Sequence, residues 1–305
     1  MLLKQKKVVN TAAFVLLLSL TGCSLSPLSK RTAAFSTAAV AATQNTASAY
    51  QVVEQSYYNA QVASLVANFD TNGFHPEQLQ PFLSAKDMEA RTRVIDGLRQ
   101  YAETLAEVSG DQPLNDLDTQ ATALGKSLQS MSKNGDIQSL HISNTDTNIA
   151  TTAVDALGKV LIERKRSKEL PAILKEMRDP IIQICTLLEE DIGSPEKSGL
   201  RNQLKNDYDR LERKQEQYIY KNADKMTAEG KRAEIERLPK MEASRIKADQ
   251  ALAATQAALA QLAKTHTALV DSTQKKDSPA FKTLLSELMD DGQQLHSFYQ
   301  NLPSQ

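Results

Sequence analysis

LPKMEASRIKADQALAATQAALAQLAKTHTAL, residues 238–269, repeats its apolar residues at the spacing of a long helix. Two rows of residues seven positions apart run through it. The first row contains Leu238, Arg245, Leu252, Leu259 and His266, and the second contains Met241, Ala248, Thr255, Leu262 and Leu269. Most of these side chains are apolar, which favours a coiled-coil seam with polar interruptions.

The segment before this seam is unusually charged. Residues 196–247 include 24 Asp, Glu, Lys or Arg in 52 positions, against 24% for the whole chain. Their apolar stripe is narrow, with Leu200, Leu204, Leu211 and Tyr218, so most of the surface must face water. We therefore predict that residues 195–273 form a long antiparallel hairpin that turns near Gly230 or Pro239. Arms of 30–40 residues would reach roughly 45–60 Å.

Helical spacing recurs along the rest of the chain, and no stretch is typical of a strand. The sequence predicts helices from residue 32 to about 70, at 85–109, 114–132 and 145–168, and at 279–300. Pro171 is expected to interrupt the fourth. Three Pro residues preceded by Asp or Ser are expected to mark helix starts: Asp179-Pro180, Ser194-Pro195 and Ser278-Pro279.

The predicted fold is all-α, an elongated helical bundle with a coiled-coil-like hairpin. We divide the chain into a bundle at 32–194, the hairpin at 195–273, and a C-terminal segment at 274–305 that packs on the bundle. The pattern leaves open whether this is one elongated bundle or a bundle from which the hairpin projects.

The N-terminus has the layout of an export signal. Three lysines, Lys4, Lys6 and Lys7, precede an apolar run at 11–20, which is too short to span a bilayer core of about 20 apolar residues. The run ends in Leu20-Thr21-Gly22-Cys23. This tetrapeptide resembles the lipobox of bacterial lipoproteins, and the resemblance covers residues 1–23 only.

The resemblance implies that residues 1–22 are a signal peptide, cleaved between Gly22 and Cys23. Cys23 would carry a diacylglyceryl group on its thiol, with a further acyl chain such as palmitate on its amino group, and residues 23–31 would form a short tether. Two or more acyl chains anchor a protein stably. Ser24, rather than Asp, favours the outer membrane, facing the periplasm. The alternatives are an ordinary signal with a coincidental Cys, or a retained membrane helix.

Charge and cysteine content narrow the expected partners. Without the three signal lysines the chain has 33 basic and 37 acidic residues, so no basic excess draws it to nucleic acid. Cys185 lies in an apolar stretch without a partner cysteine, so we expect a buried thiol.

One basic cluster, Arg164, Lys165, Arg166 and Lys168, is a possible contact patch for anionic lipid or an acidic partner. The alternative is a solvated helix end.

The sequence lacks the common signatures of catalysis. His75, His141, His266 and His296 are scattered, with no ligand spacing typical of a metal site. Ser194-Pro-Glu-Lys197 has the Ser-x-x-Lys spacing of penicillin-binding enzymes, but the companion motifs are missing and a helix cap explains Ser194 better. We expect no cofactor and no metal.

Three functions remain at this stage. The favoured one is a lipid-anchored envelope protein that acts without catalysis, as a scaffold, adaptor or spacer for an envelope protein partner. The second is a ligand-binding or inhibitor-type lipoprotein of the immunity class. The third is an enzyme whose site is assembled from distant residues, which a buried cluster of carboxylates or His would favour.

Overall fold

The computed structural model describes residues 26–73, 75–110, 125–129, 152–160, 170–273 and 279–300. Within these ranges the fold is an all-α helical bundle. The helices are α1 (Pro27–Asn72), α2 (Ala85–Ser109), α3 (Leu170–Glu176), α4 (Arg178–Ile192), α5 (Leu200–Asn222), α6 (Ala228–Asp271) and α7 (Pro279–Gln300). Residues 125–129 and 152–160 are also helical. The signal, the lipobox and most of the helices expected at 114–132 and 145–168 lie outside the described residues.

Helix α1 is the longest of the described helices and spans about 70 Å. It begins at Pro27, so the described part of the expected tether is already helical. It ends at Gly73, whose positive φ of 64° favours a residue without a side chain. The helix buries small residues, including Ala38, Ala42 and Ala49.

Small side chains let the long helices approach closely. A Cβ atom added to Gly292 of α7 would lie 3.4 Å from the backbone nitrogen of Ala42 in α1. Helix α7 is also tied to α6, since the Gln261 amide and the Thr265 hydroxyl both donate to the Leu284 carbonyl, at 3.0 and 3.1 Å. The C-terminal helix therefore packs against both α1 and α6.

Helices α5 and α6 form the antiparallel hairpin. Arg201 of α5 makes a bidentate ion pair with Asp249 of α6, at 2.7 and 2.9 Å. Nearer the turn, the Gln215 amide donates to Glu234 at 2.7 Å. In these two pairs the residue number rises along α5 while it falls along α6, so the two helices are antiparallel. Eight of the ten predicted seam residues are buried, and Leu238 and Arg245 are half-buried.

The predicted arm lengths of the hairpin are wrong, and of the two predicted turn positions the structure has the one near Gly230. The arms are unequal, because α5 has 23 residues and α6 has 44. The turn lies at 223–227, just before Gly230, and Pro239 lies inside α6. Pro239 is exposed, as is Ile235 one turn earlier, so water can satisfy the carbonyl that loses its donor.

The second half of α6 lies within the bundle. It packs against α1, α4 and α7 and contributes buried residues to the same core as these helices. The described residues therefore form one elongated bundle, of which the hairpin is a part. The division into a 32–194 bundle and a 195–273 hairpin domain stays a prediction.

The helix starts expected at Asp179 and Ser194 are also corrected. Helix α4 starts at Arg178 and follows α3 with a break only at Met177, whose amide donates to the Ile173 carbonyl at 2.9 Å. Backbone hydrogen bonds already satisfy amide groups at this helix start, so a side-chain cap from Asp179 is not needed. Ser194 lies in the α4–α5 loop, where its amide donates to the Ser198 carbonyl at 3.0 Å, and α5 is capped by Gly199.

Pro171 lies in the first turn of α3, which begins at Leu170. Residues 161–169 lie outside the described part of the chain, so the interruption expected at Pro171 stays a prediction. A proline is tolerated in a first turn, where the backbone N–H groups lack helical partners. Pro279 is likewise the first residue of α7, as its sequence predicts, whereas Ser278 lies outside the described residues.

Candidate functional site

The predicted site residues fall outside the residues that the structure describes. Gly22 and Cys23 precede the first described position, and Arg164, Lys165, Arg166 and Lys168 lie in the gap at 161–169. The lipidation site and the basic patch therefore stay predictions. No helix among the described residues is long and apolar enough to cross a membrane.

The structure describes the surroundings of the predicted buried thiol, Cys185, and of the candidate metal ligands among the described residues. Cys185 is fully buried, as predicted, and burial raises the pKa of its thiol far above the usual range. A buried neutral thiol is a poor nucleophile and acts as a small apolar side chain. Among the described residues, no group of three His, Cys, Asp or Glu side chains is arranged to hold a metal ion.

His266 lies in the core rather than at a surface site. Its Nε2 is 2.9 Å from the Tyr101 hydroxyl, and its ring packs on Phe35 with ring centroids 5.5 Å apart. Its Nδ1 is buried without a hydrogen-bond partner in the described part of the chain. Burial, helped by the positive charge of Arg178, lowers the pKa of His266 to about 3. The imidazole is therefore neutral at ordinary pH.

This depressed pKa makes stability depend on pH. In the unfolded chain His266 binds a proton below about pH 6.5, whereas in the folded protein it does so only near pH 3. Acid therefore favours unfolding, by about 1.4 kcal/mol per pH unit between these values. We expect the wild-type protein to lose about 2 kcal/mol more than a His266→Gln variant between pH 6.5 and 5. Urea unfolding at both pH values measures this difference, and parallel losses in the two proteins would contradict it.

The hairpin tip, defined here as residues 212–240, has the least burial of any long stretch in the described chain. Gln215 is its one buried residue. Two apolar side chains stand out on this charged surface, because Tyr220 is 87% exposed and Ile235 is 49% exposed. Exposed aromatic residues on a polar surface are common anchors in protein–protein contacts.

A groove of about 1030 Å³ lies beside the tip, between α5 and the C-terminal third of α1. The α5 wall carries Arg210, Lys214 and Lys221, and Lys225 follows from the turn. The α1 wall is neutral and contributes Tyr57 and polar side chains such as Gln61 and Ser64. No Asp or Glu is among the described residues that line the groove. The sequence pattern alone did not indicate this site, although the i, i+4, i+11 spacing of its cations places them on one face of α5.

The chain matches no known protein family model, no curated protein and no solved structure.

Proposed function

We propose that the protein is a lipid-anchored adaptor of the bacterial cell envelope, which holds a protein partner through its hairpin tip and performs no catalysis. The observation that carries the proposal is the tip itself, a two-helix surface of 29 residues with one buried side chain. A stable bundle core does not require this surface, so its length and exposed Tyr220 need another explanation.

The architecture supports a role in reaching a partner. The tip is joined through the continuous α6 helix to the core at residues 241–270. A helix of 44 residues spans about 66 Å, so the tip is carried well away from the far end of α6. Lipid on Cys23 would hold the other part of the molecule at a membrane, with the outer membrane as the proposed location and the periplasm as the proposed compartment.

The non-catalytic part of the proposal rests on the chemistry of the described residues. The buried thiol of Cys185 and the buried neutral imidazole of His266 are both enclosed in the apolar core. Neither lies in the groove or on the tip, where a substrate would have access.

Photo-crosslinking in intact cells tests the proposal. With a photoreactive residue in place of Lys231 on the tip, we expect one reproducible protein partner to be captured. A residue placed at Lys282, an exposed position on α7, is the matched control and should not capture that protein. A lipid-free version, residues 24–305 exported behind an ordinary cleavable signal, should capture it far less. Equal capture from Lys231 and Lys282, or none from Lys231, would overturn the adaptor function.

A further inference from the structure

We propose that the groove between α1 and α5 binds an extended acidic segment of a protein partner, with three carboxylates in the pattern acid–x–acid–x–x–x–acid. The proposal rests on the adaptor function and names the chemistry of the partner that the hairpin side of the molecule recognises. The observation behind this proposal is a row of three cationic side chains along one wall of the groove, Arg210, Lys214 and Lys221.

The cations of this row share one face of α5. With 3.6 residues per turn, Arg210, Lys214 and Lys221 lie within about 40° of one another around the helix axis. Few residues on the same face of α5 could neutralise these cations by i, i+4 pairing. The residues four positions before and after Lys214 are Arg210 and Tyr218, and no ion pair to Lys214 or Lys221 is formed within the described residues. The lysine charges are therefore available to a ligand.

Arg210 is held in place on this wall. Its Nη2 donates to Asp207 Oδ1 at 2.6 Å, and the Asp207 carboxylate is largely buried. A guanidinium has five N–H donors, so one bond to Asp207 leaves others for a ligand carboxylate. The row thus combines one positioned arginine with two flexible lysines.

The spacing along the row matches an extended peptide. A helix rises 1.5 Å per residue, which places Arg210 and Lys214 about 6 Å apart along the axis and Lys214 and Lys221 about 10.5 Å apart. An extended chain advances about 3.3 Å per residue and its side chains alternate between two faces, so positions two apart share a face at about 6.6 Å and positions four apart share it at about 13 Å. The first distance matches the gap between Arg210 and Lys214, and the second exceeds the gap between Lys214 and Lys221 by about 3 Å, which flexible lysine side chains can span. Acidic residues at positions 1, 3 and 7 of an extended segment would therefore face the three cations in turn.

The remaining lining suits a polypeptide backbone. Gln78 and Gln217 offer side-chain amides that can donate to carbonyls and accept from N–H groups, and Tyr218 adds a hydroxyl. The cations are spread along a helix rather than gathered around one point, so they cannot converge on a single phosphate group. An elongated ligand with several separated negative charges fits this layout better than a compact anion.

Binding of a labelled synthetic peptide to the purified lipid-free chain tests the proposal. The probe has Glu at positions 1, 3 and 7 in a neutral background. Its control has the same composition with the three Glu adjacent. We expect the probe to bind about fivefold or more tightly than the control by fluorescence anisotropy, with affinity that falls as salt is raised.

Two matched double variants identify the site. Lys214→Gln with Lys221→Gln should weaken probe binding about tenfold or more, because two of the three charge contacts are lost. Lys240→Gln with Lys247→Gln removes the same charge from exposed positions of α6 outside the groove and should change binding less than about twofold. All four positions are exposed, so the variants should keep the thermal stability of the wild type.

Several outcomes would overturn the inference. These are absence of probe binding up to about 1 mM, equal binding of the two peptides, and equal loss in the two double variants. Tighter binding of inorganic polyphosphate or of anionic phospholipid vesicles than of the peptide would assign the groove to another class of ligand. None of these results affects crosslinking from Lys231, so the adaptor function can stand or fall separately.

Discussion

Replacing Asp191 with Asn is expected to destabilise the protein by about 3–5 kcal/mol, the range measured when one partner of a buried ion pair is removed. Asp191 of α4 binds Arg91 of α2 through two bonds, Nε to Oδ2 at 2.8 Å and Nη2 to Oδ1 at 2.6 Å. Both side chains are fully buried. The variant removes this countercharge from a guanidinium in the core, where a neutral Asn side chain does not replace it, while the bond from Arg91 to the Asp87 carbonyl at 2.9 Å remains.

Urea unfolding of the lipid-free chain measures this effect. The matched control is Glu236→Gln, which breaks an ion pair with Arg232 at the exposed tip and should cost about 0–1 kcal/mol. Replacing both buried partners, Arg91→Met with Asp191→Leu, should recover much of the loss, because no buried charge then remains. A cost below about 1 kcal/mol for Asp191→Asn would show that water reaches the pair.

The lipid-free chain is expected to leave the membrane almost completely. The proposed lipid supplies two or more acyl chains, and each buried CH₂ contributes about 0.8 kcal/mol to anchoring. Residues 24–305 exported behind an ordinary cleavable signal should therefore appear in the soluble periplasmic fraction, whereas the wild type sediments with membranes.

Fractionation with and without high salt separates the two possible membrane contacts. If the lipid-free chain still sediments at low salt and is released by high salt, the predicted basic patch around Arg164 and Lys165 binds the membrane by charge. Sedimentation of the lipid-free chain at both salt concentrations would show that Cys23 is not the anchor.

Much of the fold could be predicted from local sequence pattern. Helix α2 spans 85–109 as the apolar spacing indicated, and its start is capped by Ser84, whose hydroxyl accepts from the Asp87 amide at 3.1 Å. The burial of the α6 seam could be predicted in the same way, because apolar residues that recur every seven positions form a helix face that packs against other helices. These features depend on residues close together in sequence.

Features that depend on residues distant in sequence could not be predicted in this way. Arg91 and Asp191 are 100 positions apart, and each alone looks like an ordinary surface charge on an amphipathic helix. The hydroxyl of Tyr208 reaches the Ser56 carbonyl in α1 at 2.5 Å, which fixes α5 against α1 and so shapes the groove. Only packing of the two helices reveals that the cations of α5 face a neutral wall.

The sequence pattern left two turn positions open, and the structure has the one near Gly230. Pro239 is a strong helix breaker by its chemistry, yet it lies in α6 because its neighbourhood is exposed and a lost hydrogen bond costs little there. The turn forms instead before Thr227, whose hydroxyl accepts from the Gly230 amide at 3.1 Å and caps α6. The Thr227 side chain, which caps the start of α6, therefore fixes the turn position more strongly than Pro239 does.

The intact mass of the mature protein, extracted from bacterial membranes, is the most direct test that the protein is a lipid-anchored component of the envelope. We expect a chain that begins at Cys23 and carries the added mass of a diacylglyceryl group, with a further acyl chain where the amino group is modified. A chain that begins at any other residue, or that begins at Cys23 with an unmodified thiol, would contradict it.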